Sequence, residues 1–142
     1  MRSLDVLVTG HGAGETNIAW MPPCGAVVEY FPHGYFIPYY FRSLAEQSGL
    51  LHEGVHVAEN LTVRTDLFKA KKNCRATLKS KEAEARSLGL AFADVCNNNK
   101  ICRFCARSAD GVKVSAADLR VLLQRVVERR AQCLNTHPFL SW

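Results

Sequence analysis

The sequence predicts an α/β fold in which a small, mostly parallel sheet is flanked by helices. Short apolar, β-branched runs alternate with longer segments of helical periodicity, and glycine and proline separate them. Strands that alternate with helices are typical of parallel sheets, because each helix returns the chain to the edge where the next strand begins. The chain has 142 residues, of which 48% are apolar, so it is long enough to bury a core.

Glycine and proline mark the element boundaries in the first half of the chain. Gly10 stops the first apolar run, and Pro22-Pro23 ends the following helix because proline lacks the N–H that a helix needs. Gly49 is placed just after a longer helix, where a left-handed conformation favours glycine. The expected elements are strands 4–9, 26–31 and 50–58 and helices 15–21 and 37–48.

The second half is predicted to be mainly helical. Ser115 and Asp118 have the spacing of a capping box, in which side chains satisfy the amides at a helix start. We expect one domain over residues 1–134, followed by a loose tail at 135–142. The remaining elements are a charged helix over 66–88, a polar loop at 93–100, a fourth short strand at 111–114 and a helix from Ser115 to about Cys133.

Composition narrows the function classes. No run of 18 apolar residues is present, so no transmembrane helix is expected, and the amino terminus has no apolar targeting segment. The net charge of +5 fits an anionic ligand. Many of the basic residues fall within 69–81, which we interpret as a solvated helix face. Only Phe68 borders this stretch, so base stacking is not favoured and no nucleic-acid partner is expected.

The six cysteines predict disulfides in an oxidising compartment, with the pairing left open. The sequon Asn60-Leu61-Thr62 is consistent with such a compartment. One alternative is a structural metal site that uses Cys96, Cys102 and Cys105 with a fourth ligand. His52 and His56 are four residues apart, but Gly54 lies between them, so surface histidines are the preferred interpretation.

A glycine turn follows the first strand, and its position predicts an anion site. Unpaired amides and the helix dipole attract negative charge at a helix start, and ligands of open α/β sheets bind beyond the carboxyl ends of the strands. Gly12 and Gly14 permit positive φ and close approach of a phosphate. His11 lies at the strand end, where its ring is able to contact a phosphate or assist a leaving group. A purely structural loop is the alternative.

The residues around this turn resemble the signature of family-61 glycosyltransferases. The matching stretches are His11-Gly-Ala-Gly-Glu-Thr-Asn17 and Met21-Pro-Pro-Cys-Gly-Ala-Val-Val-Glu-Tyr-Phe-Pro32. The resemblance is specific over residues 5–51 and implies a GT-B architecture, of which this chain is the carboxyl-terminal, Rossmann-like half. It also implies inverting, metal-independent transfer of a pentose or N-acetylhexosamine from a UDP-sugar to a glycan or glycoprotein acceptor, without a cofactor.

The resemblance further implies roles for individual residues. His11 is expected to be catalytic and to line the donor diphosphate with Gly12, Ala13 and Gly14. Thr16 and Asn17 support the same loop. Glu29 approaches the ribose or the sugar; a solvated strand-end glutamate is the plainer alternative. The implied compartment is the lumen of the Golgi or the endoplasmic reticulum.

Two features set this chain apart from the family pattern. Glu15 stands where family members usually have an apolar residue, and its carboxylate is expected to repel a diphosphate unless it points away. The amino-terminal half that binds the acceptor and supplies a base is expected to be missing. A non-catalytic binding or interaction module of the same fold is therefore kept as an alternative function.

Overall fold

The structure, a computed structural model, describes residues 5–64 and 73–136. The chain divides into two compact units. Unit 1 takes its described residues from Met1–Tyr30, Pro38–Val55 and Val114–Trp142, and unit 2 from Phe31–Ile37 and His56–Lys113. Within the described ranges, no helix is long and apolar enough to cross a membrane.

A three-stranded parallel sheet confirms the predicted α/β class. Strands β1 (Val6–Gly10), β2 (Ala26–Phe31) and β3 (Leu51–His56) lie in the order β1-β2-β3. β1 and β2 are parallel, with Val6 beside Ala26 and Gly10 beside Tyr30. Strand β2 is central and every one of its residues is buried, including Glu29, which interrupts its apolar run.

Helices and turns of unit 1 cover the sheet. A 3₁₀ helix, Ala13–Trp20, follows β1, and α1 (Tyr39–Gln47) precedes β3. Gly49 has a φ of 70° just after α1, and the amide of Leu50 donates to Ala45 O at 2.9 Å, so the predicted helix end is confirmed. The apolar core contains buried Ile18, Met21, Val27, Ala45 and Leu50, with Leu7, Phe41 and Leu44 packed against them.

The last described helix, α5 (Ala116–Thr136), also belongs to unit 1. The hydroxyl of Ser115 accepts a hydrogen bond from the amide of Asp118 at 3.0 Å and donates to its carboxylate at 2.6 Å, which confirms the predicted cap. Near the other end of α5, Cys133 forms a disulfide with Cys24, across 109 residues of sequence. Of the predicted loose tail at 135–142, residues 135 and 136 belong to α5, so that part of the prediction was wrong, and 137–142 lie outside the described residues.

Unit 2 is a small helical cluster held by two disulfides. Helices α2 (Cys74–Leu88), α3 (Phe92–Asn97) and α4 (Lys100–Arg107) pack on one another. The disulfide Cys74–Cys105 joins α2 to α4, and Cys96–Cys102 joins α3 to α4. All six cysteines are therefore oxidised, which indicates an oxidising compartment and rules out the cysteine metal site that the spacing had left open.

Two expectations for the second half were wrong. Residues 93–100 do not form a loop: most of them belong to α3, and Asn99 caps α4 by accepting the amide of Cys102 at 2.9 Å. Strand β5 (Gly111–Val112) does not extend the parallel sheet but pairs antiparallel with β4 (Thr62–Val63). The first part of the helix predicted over 66–88 lies outside the described residues, and α2 occupies the rest.

Candidate functional site

The glycine turn lies at the carboxyl end of β1 and faces open space. Ala13 and Gly14 are exposed, and a Cβ added to Gly12 or Gly14 would meet no heavy atom of residues 5–64 and 73–136 within 4 Å. Gly12 has an extended backbone with φ 172°, and Gly14 is not among the glycines with positive φ. The expectation that these glycines supply a positive φ is therefore wrong. Their small size instead leaves the backbone of the turn uncovered.

Thr16 and Asn17 brace this turn from within the 3₁₀ helix. The hydroxyl of Thr16 donates to Ala13 O at 2.9 Å, and the amide nitrogen of Asn17 donates to Gly14 O at 3.1 Å. Both residues are exposed, but their donors engage carbonyls of the turn. These hydrogen bonds fix the shape of the turn, and the groups that remain to contact a ligand are those of the backbone.

Glu15 points into the protein rather than over the turn. Only 1% of its surface is exposed, and its Oε1 accepts the amide of Gly12 at 2.9 Å. Burial, reinforced by the charge of Glu29, raises the pKa of Glu15 from 4.5 to about 8, although the Gly12 hydrogen bond opposes the change. The carboxyl group is thus protonated and neutral at pH 7, where a buried carboxylate would be costly.

Glu29 is the centre of a buried polar cluster under the turn. It lies in β2 with 0% exposure, and its two oxygens bind two imidazoles: Oε1 pairs with His11 Nδ1 and Oε2 with His52 Nε2 at 2.8 Å. Burial alone would raise the pKa of Glu29, but hydrogen bonds from His11 and His52 outweigh it and hold the pKa below 4.5. Glu29 is therefore an anion with both oxygens engaged, and the solvated strand-end interpretation is wrong.

His11 is held at the mouth of this cluster. Its side chain is 12% exposed, and its ring meets the edge of Phe41 with the centroids 5.4 Å apart. When Nδ1 donates to Glu29, the neutral ring carries its lone pair on Nε2. The carboxylate thus fixes both the tautomer and the orientation of the ring that the sequence had singled out.

His52 was missed by sequence reasoning, which placed it on the surface. It is the second residue of β3, and its side chain is only 2% exposed. His56 is on the same strand and accepts the amide of Gly34 at 3.1 Å, so the two histidines do not form a helical metal pair. The signal that could have pointed to His52 was Glu29. A buried carboxylate needs a hydrogen-bond donor, and a neighbouring strand is the nearest source of one.

Three side chains of this cluster have the geometry to hold a cation. Ligand atoms of His11, Glu15 and Glu29 all lie within 4.8 Å of one another. Glu15 Oε2 has no hydrogen-bond partner among the described residues, and the raised pKa of Glu15 keeps its carboxyl group protonated at pH 7. The proton on Glu15 thus already relieves the repulsion between the two carboxyl groups, without a metal ion.

The fold and site together define an α/β protein with an open turn above a buried His11–Glu29–His52 cluster. Comparison with models of known families and with curated proteins gave no match. The resemblance to family-61 glycosyltransferases therefore rests on the residues of the turn and of strand β2.

Proposed function

We propose that this chain is the donor-binding half of an inverting family-61 glycosyltransferase. It would bind a UDP-sugar whose pentose or N-acetylhexosamine is passed to a glycan or glycoprotein acceptor. The observation that carries the proposal is the open strand–turn–helix unit at the end of β1, set directly above the buried pair of His11 and Glu29. A Rossmann-like domain of GT-B architecture presents its donor site in this position.

The backbone of the turn is the proposed diphosphate contact. Amides in the first turn of a helix have no partner within the helix and attract anions. The amide of Gly12 is engaged by Glu15, so the amides of Ala13 and Gly14 are the ones assigned to the phosphates. Both residues are exposed, and no heavy atom of the described residues lies within 4 Å of a Cβ built on Gly14.

The inward position of Glu15 supports donor binding. A carboxylate over the turn would repel a diphosphate by roughly several kcal/mol at intermediate dielectric. Here the group is buried and holds a proton at neutral pH, and it fixes Gly12 from beneath. Glu15 thus takes the place of the family's apolar residue without adding a charge to the donor site.

His11 is the proposed catalytic residue, and Glu29 positions it. An imidazole whose Nδ1 is engaged by a carboxylate is able to stabilise or protonate the departing diphosphate through Nε2 when the ring carries a proton on both nitrogens. Because both oxygens of Glu29 are engaged, we assign it to orienting His11, while contact with the ribose, which we first expected, stays a prediction. The base that activates the acceptor is assigned to the other half of the enzyme.

The compartment is part of the same proposal. Three disulfides place the chain in an oxidising environment. Family-61 enzymes act in the secretory pathway, so we assign the chain to the lumen of the Golgi or the endoplasmic reticulum. Its proposed partners are the UDP-sugar, the acceptor and the amino-terminal half of the catalytic domain.

Calorimetric titration with UDP tests the binding step. The chain should bind UDP, and Gly14→Asp should weaken binding at least tenfold by placing a carboxylate over the turn. Gly111→Asp is the matched control, since a Cβ there also meets no heavy atom within 4 Å and the residue lies in unit 2. Equal affinity of the two variants would refute the assignment of the turn.

A second experiment separates a transferase from a binding module. In an enzyme completed with an amino-terminal half, His11→Ala should abolish transfer while UDP binding falls only a fewfold. Undiminished transfer would remove His11 from catalysis. UDP binding by a completed chain that transfers no sugar from any UDP-sugar tested would favour the non-catalytic alternative.

A further inference from the structure

Asn60 occupies an exposed turn of unit 2 that the proposed donor site does not use. It lies within the 3₁₀ turn Glu59–Leu61 and is exposed. Asn60-Leu61-Thr62 is the single N-X-Ser/Thr sequon in the 142 residues. An exposed asparagine in such a triplet is the acceptor required for N-glycosylation.

We propose that Asn60 carries an N-linked glycan. The donor is an oligosaccharide joined to a lipid through a diphosphate. The Asn60 amide nitrogen attacks the first sugar carbon and loses a proton; the new carbon–nitrogen bond replaces the carbon–oxygen bond to the diphosphate, which departs with the lipid. No oxidant or reductant is needed. The inference rests on the oxidising compartment that the disulfides indicate and is independent of any glycosyltransferase activity of the chain.

The fold also fixes when this modification takes place. In folded unit 2, the Thr62 hydroxyl donates to Ala58 O at 3.1 Å and accepts the amide of His33 at 2.9 Å. Thr62 is also paired with Val112 in the β4–β5 ladder. An enzyme that reads asparagine and threonine together needs the threonine hydroxyl, so the glycan must be added before these contacts form.

The order of the cysteines leaves time for such early modification. Both disulfides of unit 2 use cysteines that follow the sequon in sequence, Cys74–Cys105 and Cys96–Cys102. The sequon therefore leaves the ribosome before unit 2 is able to close. Folded, unglycosylated protein should then be a poor substrate, whereas a nascent chain kept reduced should be modified more completely.

The test is expression of the chain behind a cleavable secretory leader in eukaryotic cells, followed by intact-mass measurement. Wild type should carry one glycan that peptide N-glycosidase removes, leaving Asn60 as aspartate. Asn60→Gln should lack it. Thr62→Ser, which keeps both the hydroxyl and the sequon, should retain it. Secreted wild type without a glycan, or a glycan that persists in Asn60→Gln, would overturn the proposal.

Timing has its own readout. Refolded, unglycosylated protein offered to secretory-pathway microsomes with their lipid-linked donor should remain unmodified, while the same chain synthesised in their presence should gain the glycan. Equal modification of both would show that the folded sequon is accessible and would overturn the proposed order. Neither result depends on whether the chain binds UDP.

Discussion

The side-chain carboxyl groups of Glu15 and Glu29 lie next to each other in the interior of unit 1, with oxygen atoms within 4.8 Å of one another. Two carboxylates this close in the interior would repel each other, and Glu15 takes up the proton because Glu29 is held as an anion by two histidines. The pair links the turn after β1 to the central strand. It therefore couples the shape of the proposed donor site to the core.

Glu15→Gln should stabilise the protein at pH 8 and change little at pH 4.5. Folding raises the pKa of Glu15 from 4.5 to about 8, so between these values the folded state binds a proton that the unfolded state has lost. The contribution of Glu15 to the free energy of unfolding is thus fully present below pH 4.5 and is lost as the pH rises to about 8. Glutamine keeps the acceptor for the amide of Gly12 without this dependence on pH.

Urea unfolding of both proteins across this pH range measures the effect. The advantage of Glu15→Gln should grow with pH by an amount on the order of a few kcal/mol. Glu128→Gln, a change at an exposed glutamate of α5, should show no such trend. A difference between wild type and Glu15→Gln that does not vary with pH would mean that Glu15 is ionised.

Glu29→Gln should destabilise the fold by about 3 kcal/mol or more, because His11 and His52 lose the buried charge that both bind. The matched control is Glu46→Gln, which removes the exposed i,i+4 pair with Arg42 and should cost far less, because solvent screens that pair. Chemical denaturation at pH 7 compares them. Equal losses would show that the cluster contributes no more than a surface ion pair.

Alanine at Gly12 or Gly14 should leave the fold intact, since neither site has a positive φ and both have room for a Cβ. Gly34→Ala should be destabilising by about 1–3 kcal/mol: its φ is 80°, and a Cβ would lie 2.4 Å from Phe92 Cε1. Thermal melts check both. Unfolding of Gly12→Ala or Gly14→Ala would contradict the open geometry of the turn.

Loss of the Cys24–Cys133 disulfide should be more damaging than loss of Cys96–Cys102. The first spans 109 residues and the second 6, so loop entropy assigns them about 4–5 and about 2 kcal/mol. Paired cysteine-to-alanine variants, compared by urea denaturation, give the ranking. The reverse order would show that local packing, not chain entropy, sets their contributions.

The sequence was sufficient for elements whose signals are local. The apolar run of β2, the glycine after α1 and the Ser115 cap each depend on neighbouring residues, and all three were found. The loop predicted at 93–100 was wrong because the prediction relied on the polar composition of this stretch. The disulfide Cys96–Cys102 instead fixes two short helices there. Propensity does not record such a covalent constraint.

The site was predicted in part for the same reason. His11 and Glu29 were selected from motif and position, but their direct contact spans 18 residues and depends on the parallel pairing of β1 and β2. His52 comes from a third strand, and no local pattern links it to Glu29. The burial of Glu15 could not be predicted, because the sequence shows only an acidic residue at the start of a helix.

The most direct test of the central claim is an NMR titration of the ¹⁵N-labelled chain with UDP. The account predicts that the amides of Ala13 and Gly14 shift most, with saturation at one UDP per chain, while amides of unit 2 stay unchanged. Saturable shifts confined to other residues, or no shift at millimolar UDP, would contradict it.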